Sequence, residues 1–333
     1  MPGGQTSFER LSGAILGQAL GDALGFVVEA ESPTVAREYV TEWLRQGRAG
    51  ARSHRDFPFG QYSDDTQLAR ELLRSFVEAG RWNPAGFATR LAALFHQQRV
   101  VGAGPGTCAA AGRLLSGTDW SVSGTPAPYA GNGSAMRAAP LGVLIPDPSA
   151  MCQAAREQSR VTHLDPRCSA GSVVVARAVA LAAVQPLDSA LFLWELASCA
   201  EAEDASMSRA IAGLADWVKL DPTQAAQYVH RSGLDPEHRN EWRGISAFVI
   251  PSVLWSLYAF LRSTDDYWET ICTAIEVGGD TDTMAAIAGA ISGARVGPTG
   301  LPADLLARVN DQGEWDAPAL SALARAAAEL LEH

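Results

Sequence analysis

Apolar and polar positions recur with a helical period along almost the whole chain. Between residues 7 and 27, Leu11, Ile15, Ala19 and Ala23 fall on one face, and Gly13, Gly17, Gly21 and Gly25 recur at intervals of four on another. The spacing predicts a helix over 7–27 whose glycine row lets a second backbone approach closely. Such rows are best known from membrane helices, but Asp22 and Glu29 argue against a membrane and for tight packing around a polar site. Carried through to Glu29, the helix puts both acids, seven residues apart, on one face. Further helical spacing covers 33–46, 67–79, 84–98, 107–116, 149–160, 166–183, 188–201, 206–218, 222–231, 245–262, 265–276 and 316–332. Runs of β-branched residues are few, and Val173–Val175, the main exception, sits inside helical spacing. No repeat, low-complexity linker or shift in composition divides the chain. The reading is all-α: one domain of residues 1–333, built as an orthogonal multi-helix bundle.

The breaks between these stretches hold the chemistry. Val277-Gly-Gly-Asp-Thr-Asp-Thr283 hands a Gly-Gly turn to a run of small and aliphatic residues ending at Gly297. N-capping needs only one acid there. Asp280 and Asp282 together repel each other, and the helix dipole offsets only part of that, so a cation is the sharper reading. A second cluster, Tyr62-Ser-Asp-Asp-Thr66, opens another helical stretch far upstream. Converging, the two clusters make an all-oxygen cage at helix N-termini, which favours Mg, Mn or Ca over zinc or copper. Successive side chains on a helix diverge by about 100°, so Asp64 and Asp65 serve two ions more easily than one.

Three other breaks say less. The glycine cluster at 101–107 lacks a preceding strand, and Pro105 breaks the dinucleotide fingerprint, so it reads as a turn. A long Ser-, Gly- and Pro-rich loop over 117–130 leads to Gly131-Asn-Gly-Ser-Ala-Met-Arg137. Gly-Asn-Gly ahead of helix formers is either a capped turn or a helix N-terminus whose free amides suit an anion. Arg137 reads as a core ion-pair partner or a ligand contact. His163, alone between helices, is by default a hydrogen-bonded structural residue.

Charge and cysteines narrow the classes. A formal net charge of −11 disfavours nucleic acid held by the general field of the protein. Lys219 is the only lysine, so nearly every basic side chain is arginine. Five scattered cysteines, with no CxxC pair, fit reduced thiols and a cytoplasmic protein. The apolar stretch from Leu11 to Val28 lacks a basic leader and carries Gln18 and Asp22, so it reads as a buried helix and not a signal peptide.

Taken together, GQALGDALGFVVE (17–29), YSDDTQLA (62–69), GPGT (104–107), GNGSAMRAAPLG (131–142), Thr162-His163 and GGDTDTMAAIAGAISGARVG (278–297) resemble the ADP-ribosylglycohydrolase family, in the family's order and across nearly the whole chain. The resemblance implies an all-α fold with a dinuclear Mg2+ or Mn2+ centre at the bottom of an ADP-ribose cleft. Ser63, Asp64, Asp65, Asp280, Asp282 and Thr283 match the metal-ligand positions, Ser63 standing where many members have Thr. Glu29 matches the acid several relatives use in catalysis, with Asp64 or Asp65 the competing general base. Gly131, Asn132, Gly133, Ser134 and Met136 match the loop around the ribose and phosphates, and His163 a residue lining them. Phe248 aligns with a Tyr that stacks on adenine, although Ala247 and Pro251 depart from the pattern.

The implied reaction is metal-dependent hydrolysis of an ADP-ribosyl group from a protein arginine or serine side chain, or from a small ADP-ribose conjugate, giving free ADP-ribose. A non-catalytic ADP-ribose-binding protein is the alternative from another class. So many mutually repelling acids exceed what a reader needs. A Mg-dependent phosphohydrolase would need basic residues beside the metals, where Arg137 is the one candidate.

Overall fold

The computed structural model describes residues 5–55, 57–184, 186–234 and 242–332, and it is all-helical apart from isolated bridges. The first helices are α1 (Ser7–Phe26), α2 (Pro33–Tyr39), α3 (Asp64–Ala79), α4 (Pro84–His96) and α5 (Pro105–Leu115). A short α6 (Leu141–Leu144) leads to α7 (Pro148–Arg160), α8 (Pro166–Ala182), α9 (Ser189–Glu201), α10 (Ala205–Trp217) and α11 (Pro222–Val229). The chain closes with α12 (Val249–Arg262), α13 (Tyr267–Ile275), α14 (Thr281–Val296), α15 (Ala303–Leu306) and α16 (Ala317–Glu329). Among the described residues no helix is long and apolar enough to cross a membrane.

Six helix starts follow one local rule. Ser32, Asn83, Asp147, Asp165 and Asp221 each directly precede a proline, Asp316 stands two residues before Pro318, and each accepts a first-turn amide, of α2, α4, α7, α8, α11 and α16. The cap satisfies an otherwise orphaned N–H, while proline supplies a helical φ where no donor is needed.

The core is organised around α1 and α14, which run antiparallel in contact along their lengths. Each glycine of the α1 row faces backbone: Gly13 meets Gly293, Gly17 meets Gly289, Gly21 meets Ala285 and Gly25 meets Thr281. A Cβ at any of the four would overlap the facing carbonyl oxygen. Both helices are buried nearly all round, so neither shows a polar face to water. The register brings the C-terminal end of α1 beside the N-terminal end of α14.

Three expectations change at these ends. The first helix stops at Phe26, so Glu29 does not share a helical face with Asp22. Tertiary pairing draws the chain away: Ala30, at φ 63°, donates its N–H to Gly279 O at 2.8 Å, and Gly279 N donates to Glu31 O at 2.9 Å. The 33–46 helix becomes α2 followed by a wider π turn, Val40–Leu44, with Val40 and Leu44 both buried. The 245–262 helix begins only at Val249, because Ile245 pairs its N–H with Gly278 O and its C=O with Asp280 N. That pairing needs Gly278 and Gly279, at φ 69° and 88°, since a Cβ on Gly279 would collide with Ile245 backbone. Of the two readings of the 131–137 motif, a capped turn or a helix N-terminus, the structure shows the turn. Ala135 and Met136 donate back to Asn132 O, at 2.8 and 3.1 Å.

A candidate metal and ADP-ribose site

The two acidic clusters meet. Ser63 caps α3, Asp64 and Asp65 lie in its first turn, and Asp280 stands at the N-cap position of α14, without a capping hydrogen bond from its side chain, just ahead of Asp282 and Thr283. Thr283 donates its hydroxyl to Asp65 Oδ2 at 3.3 Å, which joins the clusters directly. Carboxylate oxygens of Glu29, Asp280 and Asp282 lie within 4.8 Å of one another. A cavity of about 270 Å3 is lined by Glu29, Asp64, Asp65, Asp280, Asp282 and Thr283 at one end and by the Gly131–Gly133 turn, Met136 and His163 at the other.

Asp22 holds the first cluster in place. Fully buried, it accepts the N–H of Ser63 at 2.8 Å, the N–H of Thr66 at 3.0 Å and the Thr66 hydroxyl at 2.6 Å. It thus caps α3 from the side of α1. Gln18, one turn earlier, donates to both Asp65 O and Met136 O, at 2.9 and 3.0 Å. One face of α1 therefore ties the acidic cluster to the 131–137 turn.

The electrostatics follow from burial and crowding. Burial, and then the charge of Asp282, push Asp64, Asp65 and Asp280 well above the usual carboxylate range. Burial also raises Asp282, and raises Asp22 to about 7 against the hydrogen bonds from Thr66 and Ser63. Glu29, half-buried, is pushed up to about 10, first by Asp282 and then by burial and the other acids. Asp65 Oδ1 is buried without a hydrogen-bond partner. Crowded carboxylates with an orphaned oxygen match what a hard divalent cation requires, so the residues fit the metal.

At the other end, Asn132 donates to Ser252 Oγ at 3.0 Å and to Asp280 Oδ2, fixing the turn to the second cluster. Arg137 is buried and makes no ion pair with a carboxylate among the described residues. Its guanidinium donates to Gln158, to Gly133 O and to Thr162 Oγ1. Thr162 in turn lies 2.8 Å from His163 Nδ1. A hydroxyl that accepts from Arg137 gives its proton to Nδ1, which leaves the N–H on Nε2. Burial and then the charge of Arg137 push His163 down to about 3, so the ring is neutral.

Some expected residues stand outside the cavity wall. Ser63 lies behind Asp65, to which its hydroxyl donates at 2.9 Å. The Ser134 hydroxyl faces α7 and α8, accepting from Ser159 and Ser172 at 3.0 and 3.1 Å. The Phe248 ring is faced by the Arg167 guanidinium at 5.4 Å, and its neighbour Ala247 lines the cavity in its place. Tyr129, stacked on His163 at 5.7 Å, and Trp242 are the aromatic rings in the wall. The glycine cluster read as a turn is also there: Gly102 to Pro105 and Thr107 line the cavity, and α5 starts within the cluster at Pro105. The sequence marked Asp22, with Glu29, as a sign of a polar site beside the first helix. Nothing in the sequence marked Tyr129 or Trp242.

Helices whose N-terminal acids converge on a polar cavity define an all-α protein with a hard-cation type of site. Residues 4–333 match the ADP-ribosylglycohydrolase family model, and the chain belongs to that family and is a hydrolase of its class. Similar proteins include ADP-ribosylhydrolase ARH3 of Xenopus tropicalis, 29% identical over 88% of this chain and 89% of the relative. The ADP-ribosyl-dinitrogen reductase glycohydrolase of Rhodospirillum rubrum is 27% identical over 92% of each chain. A solved structure, described as an ADP-ribosylglycohydrolase-related protein complex, superposes with a TM-score of 0.72 at 23% identity, covering 97% of this chain and 98% of that one.

Proposed function

We propose that the protein is a divalent-metal-dependent hydrolase that releases ADP-ribose from a modified acceptor, a protein arginine or serine side chain or a small ADP-ribose conjugate, and so reverses ADP-ribosylation. Residues 1–333 act in this reading as one domain. The observation that carries it is the joining of Asp65 to Thr283, which sets both acidic clusters and Glu29 around one cavity with the Gly131–Gly133 turn.

Ser63, Asp64, Asp65, Asp280, Asp282 and Thr283 would hold two ions, Mg2+ or Mn2+. Bound there, such ions supply positive charge that lowers the pKa of water and holds sugar hydroxyls. Glu29, at the edge of the cluster, holds a proton while the neighbouring acids go unneutralised; with cations beside those acids it would be ionised and would take the proton of a water that adds to the anomeric carbon of ribose. The bond from that carbon to the acceptor breaks, and the acceptor leaves with a proton. Asp64 or Asp65 is the competing base. Asn132 holds Asp280 and the Gly131–Met136 turn together, and Ser134 anchors that turn from behind. His163 offers a neutral Nε2–H to a phosphate or ribose oxygen. Tyr129, stacked on His163, is better placed for the adenine ring than Phe248, whose ring already faces Arg167.

The test is release of ADP-ribose from proteins modified separately at arginine and at serine, with Mg2+, with Mn2+ and with chelator. Metal-dependent release of intact ADP-ribose from either acceptor supports the reading. No release from either, with ADP-ribose still bound in a calorimeter, would replace it with the binding-protein reading.

A further inference from the structure

Behind the Gly278–Gly279 turn, two adjoining hollows of about 620 and 360 Å3 share Pro33, Ala226, Gln227 and Val277 as walls. Their charge is opposite to that of the carboxylate cavity and of the chain. Arg231 and Arg243 line the larger hollow beside Tyr228, and Arg37 lines the smaller. All three arginines are exposed, and none has an ion-pair partner among the described residues. Glu276, in the wall of the smaller hollow, already faces Arg45 and Arg262 as well as Arg37. Tyr228 is 53% exposed, its ring stacked on Trp217 at 5.8 Å. In a chain with a net charge of −11, three guanidiniums with no ion-pair partner among the described residues make this depression locally cationic.

The hollows are built on the same segments as the cavity. Trp242 lines the cavity and the next residue, Arg243, lines the larger hollow. Glu29 lines the cavity and Pro33, four residues on, lines both hollows. The wall between is the ladder of Ile245 with Gly278 and Asp280.

We propose that this arginine-lined hollow binds the acceptor polypeptide and selects one with acidic residues beside the ADP-ribosylated side chain. The inference rests on the hydrolase reading above, since it assigns the acceptor to the Glu29 end of the cavity. Carboxylates of the peptide pair with Arg37, Arg231 and Arg243, and an apolar side chain packs on Tyr228. Charge complementarity of this kind discriminates between partners more than it adds raw affinity. A peptide is favoured over nucleic acid because a long polyanion must also meet the repulsive field of the whole chain, whereas a short acidic segment meets only the hollow.

The test uses the full chain and the triple variant Arg37→Glu, Arg231→Glu, Arg243→Glu, which alters exposed side chains outside the cavity. Fluorescence anisotropy with an unmodified glutamate-rich peptide reads the hollow without chemistry. Binding that weakens as salt rises, and that falls at least about tenfold in the variant, is expected. ADP-ribose release is then compared on an ADP-ribosylated free amino acid and on peptides carrying one modified side chain flanked by Asp and Glu or by Lys. The wild type should prefer acidic flanks by about tenfold in kcat/KM. The variant should lose that preference while turning over the small conjugate normally. Equal peptide binding by both proteins, equal kcat/KM for both flanks, or binding of a single-stranded oligonucleotide in place of the peptide overturns the proposal. Failure to release ADP-ribose from any substrate, with the anisotropy result intact, instead overturns the hydrolase reading.

Discussion

Thr281 donates its hydroxyl to the carbonyl oxygen of Gly25 at 2.8 Å, locking the last turn of α1 to the first turn of α14. This contact ends a row of glycine-to-backbone approaches four residues apart. Because Glu29 follows Gly25 by four residues and Asp280 and Asp282 flank Thr281, the register of two helices decides whether the acids meet.

Substitutions in that row should damage fold and site together. Gly17→Val and Gly289→Val each place a branched side chain against a facing carbonyl and force the helices apart, with an expected loss of about 3 kcal/mol. Gly112→Ala is the control. Its Cβ meets nothing within 4 Å in α5, so it should be neutral or stabilise by about 0.5–1 kcal/mol. Thermal unfolding of the three variants checks the contrast, and equal melting of all three would sink it.

Asp22→Asn should weaken metal binding without touching the cavity. The amide turns at least one N–H toward the donors of Ser63 and Thr66, loosening the start of α3. Loss of such an orienting partner costs on the order of 10- to 100-fold in metal affinity. Titration of Mn2+ into both proteins by calorimetry measures it. Unchanged affinity would show that Asp22 supports stability alone.

The metal-free protein should lose stability as pH rises. Asp22, Glu29, Asp64, Asp65, Asp280 and Asp282 all titrate higher in the folded state than in an unfolded chain, where such groups release protons near about pH 4. The folded state therefore holds the extra protons, and the stability linked to them is complete below about pH 4. It declines as pH climbs through about 7, where Asp22 titrates, and toward about 10, where Glu29 does. In chelator the melting temperature should fall by several degrees between about pH 5 and pH 9, and Mg2+ should restore it most at the alkaline end. A melting temperature independent of both pH and Mg2+ would count against a metal at this cluster.

His163→Ala should raise KM with little change in kcat, by about tenfold, because the neutral Nε2–H binds substrate and takes no part in bond breaking. With the ring titrating near 3, the wild-type KM should show no histidine step between about pH 5 and pH 8. A step near pH 6.5 that disappears in the variant would contradict the neutral assignment. Glu29→Gln, by contrast, should lower kcat at least about 100-fold.

The helices, their caps and the acidic motifs were legible because they depend on neighbours in sequence. Apolar spacing, Asp or Ser before Pro, and Asp280 beside Asp282 are local facts. The glycine row in α1 even announced a close backbone partner. It did not name α14, since Gly289 and Gly293 become its match only once the helices are antiparallel and in register.

The places where sequence and structure part are those where a distant segment competes for a backbone group. Helical periodicity extends to Glu29 and back to Ile245, but Ala30 bonds to Gly279, and Ile245 to Gly278 and Asp280, across the molecule, and those bonds outweigh one more helical turn. Composition and periodicity alone determined an all-helical chain with two acidic N-termini. Only tertiary structure decided that Asp22 caps α3 from another helix, that Tyr129 and Trp242 wall the cavity while Phe248 faces Arg167, and that Asp65 meets Thr283, because each is a contact between segments whose separation in sequence carries no signal of their distance in space.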